Sequence, residues 1–359
     1  MPSSEPSTLL LQRRGYLTPY RQIAFGVGLL VLTVAQASVR YFRLLTGDTM
    51  LHPDARLVWQ PLARAVRNGA ALYVDPAVDN KPPLFEFFNI LVAATDAYAF
   101  TFLLCVALAN GLSAVLLYHL FVRNGMRRTG ILAATGFVLV VPLVNGHAVN
   151  VRSFAVCAFL FALSVRRAEL AGTASAVAIL FSQYLVIGVP VVCWWALHGR
   201  TEDVSLRRWM IRFAVPAVGV VAAAYGTVLV IWGWPSFVGS LYWSLGVAEQ
   251  YFTAYGPSLW VGQRAWRVYT FDLVGRLWPL LLLALAGAVA IVTKRATLPD
   301  GGGMRHGRLL SLVGGAAGLF GALLFVRPYE TYWLYSLPWV AGLAAVGIRT
   351  VGSGLGMPI

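Results

Sequence analysis

Hydrophobic positions in this chain run in long blocks separated by short polar, arginine-bearing breaks, a pattern suited to lipid rather than to a water-facing core. A helix needs about 20 apolar residues, at ~1.5 Å rise each, to cross a ~30 Å hydrocarbon core. The first qualifying block runs from about Ile23 to Val39, behind Arg13, Arg14 and Arg21. Ala35-Gln36-Ala37 at its end mimics a signal-peptidase site. The block is long and opens a multi-span array, so it predicts a retained first helix with a cytoplasmic N-terminus. Further spans are expected near 98–121, 129–145, 152–165, 211–232, 270–292, 308–327 and 330–349. Leu170–Leu197 is too long for one untilted helix and carries Ser182-Gln183 and Pro190, which predicts two shorter helices meeting near Gln183. Leu84–Ala94 is too short to span and is expected to lie partly embedded near the outer surface. The expected fold is an all-α polytopic membrane protein of about ten transmembrane helices, within a range of roughly eight to twelve. It forms one membrane-embedded domain over 1–359, with no separate soluble domain.

The least hydrophobic stretch, Arg40 to Lys81, lies in the first outer loop, 40–97. It holds Asp48, Asp54, Asp75, Asp79 and six basic residues. Within it Leu57, Val58, Pro61, Leu62, Ala65 and Val66 recur at helical spacing, opposite Arg56, Gln60, Arg64 and Arg67. That pattern predicts a helix lying in the interface plane, apolar face down. A second outer loop, 233–269, is aromatic: Trp234, Tyr242, Trp243, Tyr251, Tyr255, Trp260 and Trp266 surround Glu249 and Gln250. Such aromatics form an interfacial belt, or a lid over a site in which Glu249 and Gln250 supply hydrogen bonds.

Composition agrees and charge adds orientation. Charged residues are 12% of the chain, against about 25% in a soluble domain. The net charge of +14, from 28 Lys and Arg against 14 Asp and Glu, would suggest nucleic acid in a soluble protein. Here the arginines cluster between apolar blocks, at 123/127/128, 166/167 and 200/207/208/212, and beside Lys294 at 295/305/308. Under a ten-helix count all these clusters share the cytoplasmic side, as the positive-inside rule requires, and no nucleic-acid partner is expected. Most carboxylates fall on the other side, and Lys81 is one of only two lysines. An ionisable group beside a membrane cavity is a functional candidate. Cys105, Cys157 and Cys193 lie in apolar blocks and read as small buried hydrophobes. No P-loop, HExxH or paired-cysteine motif is present, and the five histidines are scattered. Asp75 and Asp79 alone make no case for Mg²⁺ or Mn²⁺, so no metal or other cofactor is assigned.

Asp79-Asn80-Lys81-Pro82-Pro83-Leu84 carries the sharpest signal. Two prolines fix an extended backbone and hold Lys81 at the water–lipid boundary, where an ammonium can meet a lipid phosphate. The order His52-Pro53-Asp54-Ala55, amphipathic stretch to Gly69, Tyr73-Val74-Asp75-Pro76, then Asp79 to Leu84 resembles the first outer loop of the GT-C glycosyltransferases. The likeness is to the branch holding the protein O-mannosyltransferases and the lipid A aminoarabinose transferases. Val151 to Leu197 is similar to the family's middle helices, and Arg327-Pro328-Tyr329-Glu330-Thr331-Tyr332 to a late basic-Tyr…Pro segment. Two departures stand out. Ser182 occupies a place where many members have lysine, and Asn150-Val151-Arg152 stands where members open a helix with an acid.

The resemblance implies sugar transfer from a polyprenyl-phosphate donor to a glycan, lipid or protein acceptor at the outer face. Asp54 is then the expected base, with Asp48 its rival at the same membrane level. Lys81 and Arg327 would neutralise the leaving phosphate, with Tyr332 and Asp79 beside them. A transporter or lipid flippase is the competing expectation. It predicts polar residues at mid-membrane and paired broken helices, of which only the break near Gln183 is visible. A membrane scaffold, the third reading, predicts no clustering of acids around a boundary lysine.

Overall fold

The structure is a computed structural model that describes residues 19–197, 205–245, 259–293, 308–311 and 330–354. Among these it is all helical. We number the helices α1 (Pro19–Leu45), α2 (Gln60–Arg67), α3 (Pro83–Ala93), α4 (Tyr98–Val122), α5 (Arg127–Val140) and α6 (Arg152–Ser164). There follow α7 (Ala168–Phe181), α8 (Val189–Leu197), α9 (Leu206–Leu245), α10 (Leu259–Val292) and α11 (Leu337–Gly354). Among the described residues five segments are long and apolar enough to cross a membrane: Tyr20–Leu45, Tyr98–Val122, Arg127–Val144, Leu206–Ser244 and Val274–Val292. Others are apolar but shorter, among them α6, α7, the 183–196 stretch and α11. The expected span 308–327 lies almost wholly outside the described residues.

Large apolar side chains face outward along the long helices, including Val27 and Val31 on α1, Val218 and Val230 on α9, and Leu282 and Leu285 on α10. A lipid-facing surface has this character, because outward polarity would be costly there. On α9 the buried positions Trp209, Phe213, Ala224, Val228, Ser236, Ser240 and Ser244 recur at spacings of four, eight and eleven, one helix face that is apolar at one end and polar at the other. Close approach is set by glycine where α7 meets α9. A Cβ on Gly172 would stand 2.0 Å from the carbonyl oxygen of Phe213.

The expected break in Leu170–Leu197 is present. α7 stops at Phe181, Ser182 is extended (φ −153°, ψ 109°), and a 3₁₀ segment Gln183–Gly188 leads into α8. Three expectations change in detail. The amphipathic stretch begins with a π turn, Ala55–Trp59, ahead of α2. The wider turn rotates the buried face, so Ala55, Trp59, Leu62, Ala63 and Val66 are buried while Leu57 is 64% exposed. That face meets protein rather than lipid: the Trp59 ring sits 4.9 Å from Phe85 of α3, and Asn89 Nδ2 donates to the Trp59 carbonyl at 2.8 Å. Likewise α3 is an interior element, with Phe85, Glu86, Asn89, Val92 and Ala93 buried. The 233–269 loop is helical at both ends, since α9 runs on past a kink at Gly233 (φ 81°, ψ −176°) and α10 starts at Leu259.

Contacts sort the charges by bundle end. Arg123 donates to the Ser164 carbonyl, Arg308 to Asn124 Oδ1 at 2.6 Å, and Arg212 lies 3.6 Å from Glu169. At the opposite end meet the 46–97 loop, the Asn145–Arg152 connection, the Gln183 break, the C-terminal end of α9 and the 330–336 segment.

Candidate functional site

The Lys81 turn is built by chain chemistry. Pro82 is extended (φ −64°, ψ 159°) and Pro83 opens α3, where a missing N–H costs nothing. The Tyr73 hydroxyl donates to the Lys81 carbonyl at 2.7 Å, Ser244 Oγ reaches the same oxygen at 3.4 Å, and Gln183 Nε2 donates to the Asn80 carbonyl at 3.1 Å. Tyr73 holds φ 63°, a left-handed conformation that a bulky residue keeps only when its surroundings enforce it. Three elements far apart in sequence therefore clamp one short turn.

The Lys81 ammonium, largely buried, lies 3.9 Å from Asp79 Oδ1, donates to Asn80 Oδ1 and sits 5.8 Å from the Trp59 ring centroid. Behind it Glu86 is fully buried, with Asn89 Nδ2 3.4 Å from Oε2 and no partner on Oε1. Glu86 rides on α3, which is too short to span. Burial first, then the neighbouring Asp79 carboxyl, push its carboxyl well above the usual range, while Lys81 pulls it the other way. Burial thus favours the uncharged form of Glu86, while Asp79 Oδ1 faces Lys81.

Arg152 closes the other side. It opens α6, is 7% exposed, and lays its guanidinium carbon 3.9 Å from the Tyr332 ring centroid. The Tyr332 and Tyr335 hydroxyls also act on it electrostatically, and Tyr335 bonds Ser182 Oγ. Its Nε has no partner, and no carboxylate among the described residues comes within 4.0 Å of it. Arg152 and Lys81 both act electrostatically on Tyr332 and on His52, and Asp54 acts on Arg152, so these groups gather at one end of the bundle, in a cluster we call the chamber.

Asp54 sits at the mouth with its side chain 51% exposed. Its Oδ2 is 3.8 Å from His52 Nδ1, and its backbone N–H donates to that same nitrogen at 3.2 Å. His52 Nδ1 is therefore an acceptor in this contact. Burial first, then the Arg152, Lys81 and Arg40 cations, hold its pKa down against the opposing pull of Asp54. His147, in the neighbouring connection, is pushed down to about 4 by burial and by Arg40 and Arg43. Both folded values lie below the ordinary ~6.5, so on acidification the unfolded chain takes up protons that the folded chain refuses. Stability is expected to fall as pH drops from about 6.5 toward 4. Replacing both with asparagine should flatten that fall, measured by thermal unfolding in detergent across the window.

Of the residues expected from sequence, Asp54, Lys81, Asp79 and Tyr332 come together at this end of the bundle. Asp48 does not join them: it is exposed in the turn after α1, where its Oδ2 accepts from Thr46 Oγ1 at 2.8 Å. Arg327, Glu249 and Gln250 lie outside the described residues. Arg152 and Glu86 were not singled out from sequence. Arg152 had a signal, being a charge that replaces an acid at a helix start, whereas the depth of Glu86 comes only from packing.

Beside the chamber an apolar cavity of about 550 Å³ opens between α4, α6 and α7. Phe88, Phe154 and Phe181 form its wall nearest the Gln183 break, and Leu108, Leu112 and Phe161 continue it along the helices. Among the described residues no group of three His, Cys, Asp or Glu side chains is placed to hold a metal ion. Comparison with protein-family models, with curated proteins and with solved structures gave no match.

Proposed function

We propose that the chain is a membrane glycosyltransferase that moves a sugar from a polyprenyl-phosphate donor to a glycan, lipid or protein acceptor. The observation that carries this reading is a half-exposed carboxylate, Asp54, gathered with two cations, Lys81 and Arg152, at one end of the bundle. In this reading the acceptor hydroxyl gives its proton to Asp54 as its oxygen attacks the anomeric carbon from the side opposite the phosphate. The carbon–oxygen bond to the phosphate breaks, its electron pair leaves with the polyprenyl phosphate, and the configuration inverts. The cations stabilise the charge that grows on the leaving group, and the fixed turn around Lys81 supplies that field without reorganising.

The apolar cavity beside the chamber supports a lipid-linked donor, since an isoprenoid chain needs a carbon-lined path next to its phosphate. Orientation follows from the arginine-rich end, which the positive-inside rule puts in the cytoplasm. In this reading about ten spans cross the cell membrane, the N-terminus is cytoplasmic and the chamber opens at the outer face. The competing reading, a transporter or lipid flippase, gains from the breaks at Ser182 and Gly233.

Deletion in the native host separates the two. Transfer predicts that a polyprenyl-phosphate sugar accumulates at the outer leaflet while one sugar disappears from surface glycans, both reversed by the wild-type chain. A flippase predicts donor retained at the cytoplasmic leaflet. Unchanged lipid-linked sugars and unchanged glycans would overturn both.

A further inference from the structure

The buried guanidinium of Arg152 has an aromatic floor and two tyrosine hydroxyls acting on it, but no carboxylate within 4.0 Å among the described residues. A cation taken out of water ordinarily needs an anion against it. The nearest acid acting on it, Asp54, is no closer than that limit and leans toward His52. Lys81 does not supply the missing charge either: it is a second cation across the same chamber, already facing Asp79. The unpartnered Nε of Arg152 and the unpartnered Gln183 Oε1 are both buried at this end of the bundle. The Tyr332 ring fixes the plane of the guanidinium, and a planar fork with a spare N–H suits two oxygens of a phosphate.

We propose that Arg152 grips the phosphate of a lipid-linked substrate, with Lys81 as the second cation across the chamber. The ligand class rests on the glycosyl-transfer reading. A residue that opens a helix with positive charge, where the resembling family has an acid, thus turns this side of the chamber from an acid-bearing wall into an anion clamp. One consequence is that α6 brings no second carboxylate to stand beside Asp54.

The test is direct binding to the full chain in nanodiscs, followed by its tryptophan fluorescence. Farnesyl phosphate, farnesol and inorganic phosphate are the probes, and wild type, Arg152→Gln and Arg152→Lys the proteins. Arg152→Gln is expected to weaken farnesyl phosphate at least tenfold and to leave farnesol unchanged. Arg152→Lys, which keeps charge but loses the fork, should fall between. Equal binding of farnesyl phosphate by all three proteins, or equal loss of farnesyl phosphate and farnesol, would overturn the proposal. Displacement of farnesyl phosphate by inorganic phosphate at equal concentration would overturn its lipid part. Should Arg152→Gln fail to fold, Arg152→Lys decides the matter, and wild-type affinity there counts against the clamp. Arg152-dependent binding in a protein whose deletion leaves glycans unchanged would sink the transfer reading and keep the clamp. Intact transfer with Arg152-independent binding would do the reverse.

Discussion

Asp54→Asn is expected to abolish sugar transfer while leaving the protein folded and in the membrane. The substitution keeps the size of the side chain and removes only its ability to take a proton. Positioned general bases contribute about 10²- to 10⁴-fold, so residual activity should be at most about a hundredth of wild type. Folding should not suffer, because the Asp54 side chain is half exposed and the one side chain paired with it among the described residues is the His52 ring at 3.8 Å. The His52 contact that matters locally is made by the Asp54 backbone N–H, which asparagine retains. In the native host the variant should reproduce the deletion phenotype in surface glycans and lipid-linked sugars. Asp48→Asn is the matched control, expected to behave as wild type because Asp48 serves the Thr46 turn. A normal glycan profile with Asp54→Asn present at wild-type level would remove Asp54 from the role of base.

How much of this was legible in sequence depends on what each residue's role rests on. Lys81 was legible because its features are local: a rare lysine, two prolines that fix its backbone, and acids close by. Asp54 stood out through its place in the loop order. The buried face of the 55–67 stretch is displaced by one residue, about 100° of rotation, since a π turn adds a residue that no apolar periodicity records. Glu86 lies three residues beyond Pro83, and nothing in the chain says that its side of α3 turns inward toward Asp79. Its depth depends on α3 being covered by α2, α4, α7 and α9, which is a long-range fact. Arg152 reads in sequence only as a departure, a basic residue where the resembling family has an acid. Only the arrival of Tyr332 and Tyr335 from the far end of the chain makes it a buried cation in search of an anion.

Those tyrosines depend on how α11 is held, and this gives the largest expected effect on stability. α10 and α11 meet through a reciprocal pair of glycines. A Cβ on Gly287 would lie 2.0 Å from the Leu343 carbonyl oxygen, and a Cβ on Gly347 2.0 Å from that of Leu283. The obstructing atoms are backbone, so no rotamer change relieves them and the helix axes must part. In a bilayer close backbone approach is itself a source of helix association, because lipid tails offer apolar side chains the same surroundings as protein. Gly347→Ala or Gly287→Ala should each destabilise by about 1–3 kcal/mol. The double variant should cost less than the sum, since the first methyl already separates the helices. Gly219→Ala is the control: a Cβ there meets nothing within 4 Å, and alanine favours a helix over glycine by up to about 1 kcal/mol. Denaturant unfolding in detergent measures all four. If Gly347→Ala proves as stable as Gly219→Ala, the close approach of α10 and α11 is wrong. The same variants reach the chamber, because α11 continues directly from the segment bearing Tyr332 and Tyr335. Separating α11 from α10 should loosen the tyrosines over Arg152, so farnesyl phosphate affinity is expected to fall together with stability in the Gly347 and Gly287 variants and to hold in Gly219→Ala.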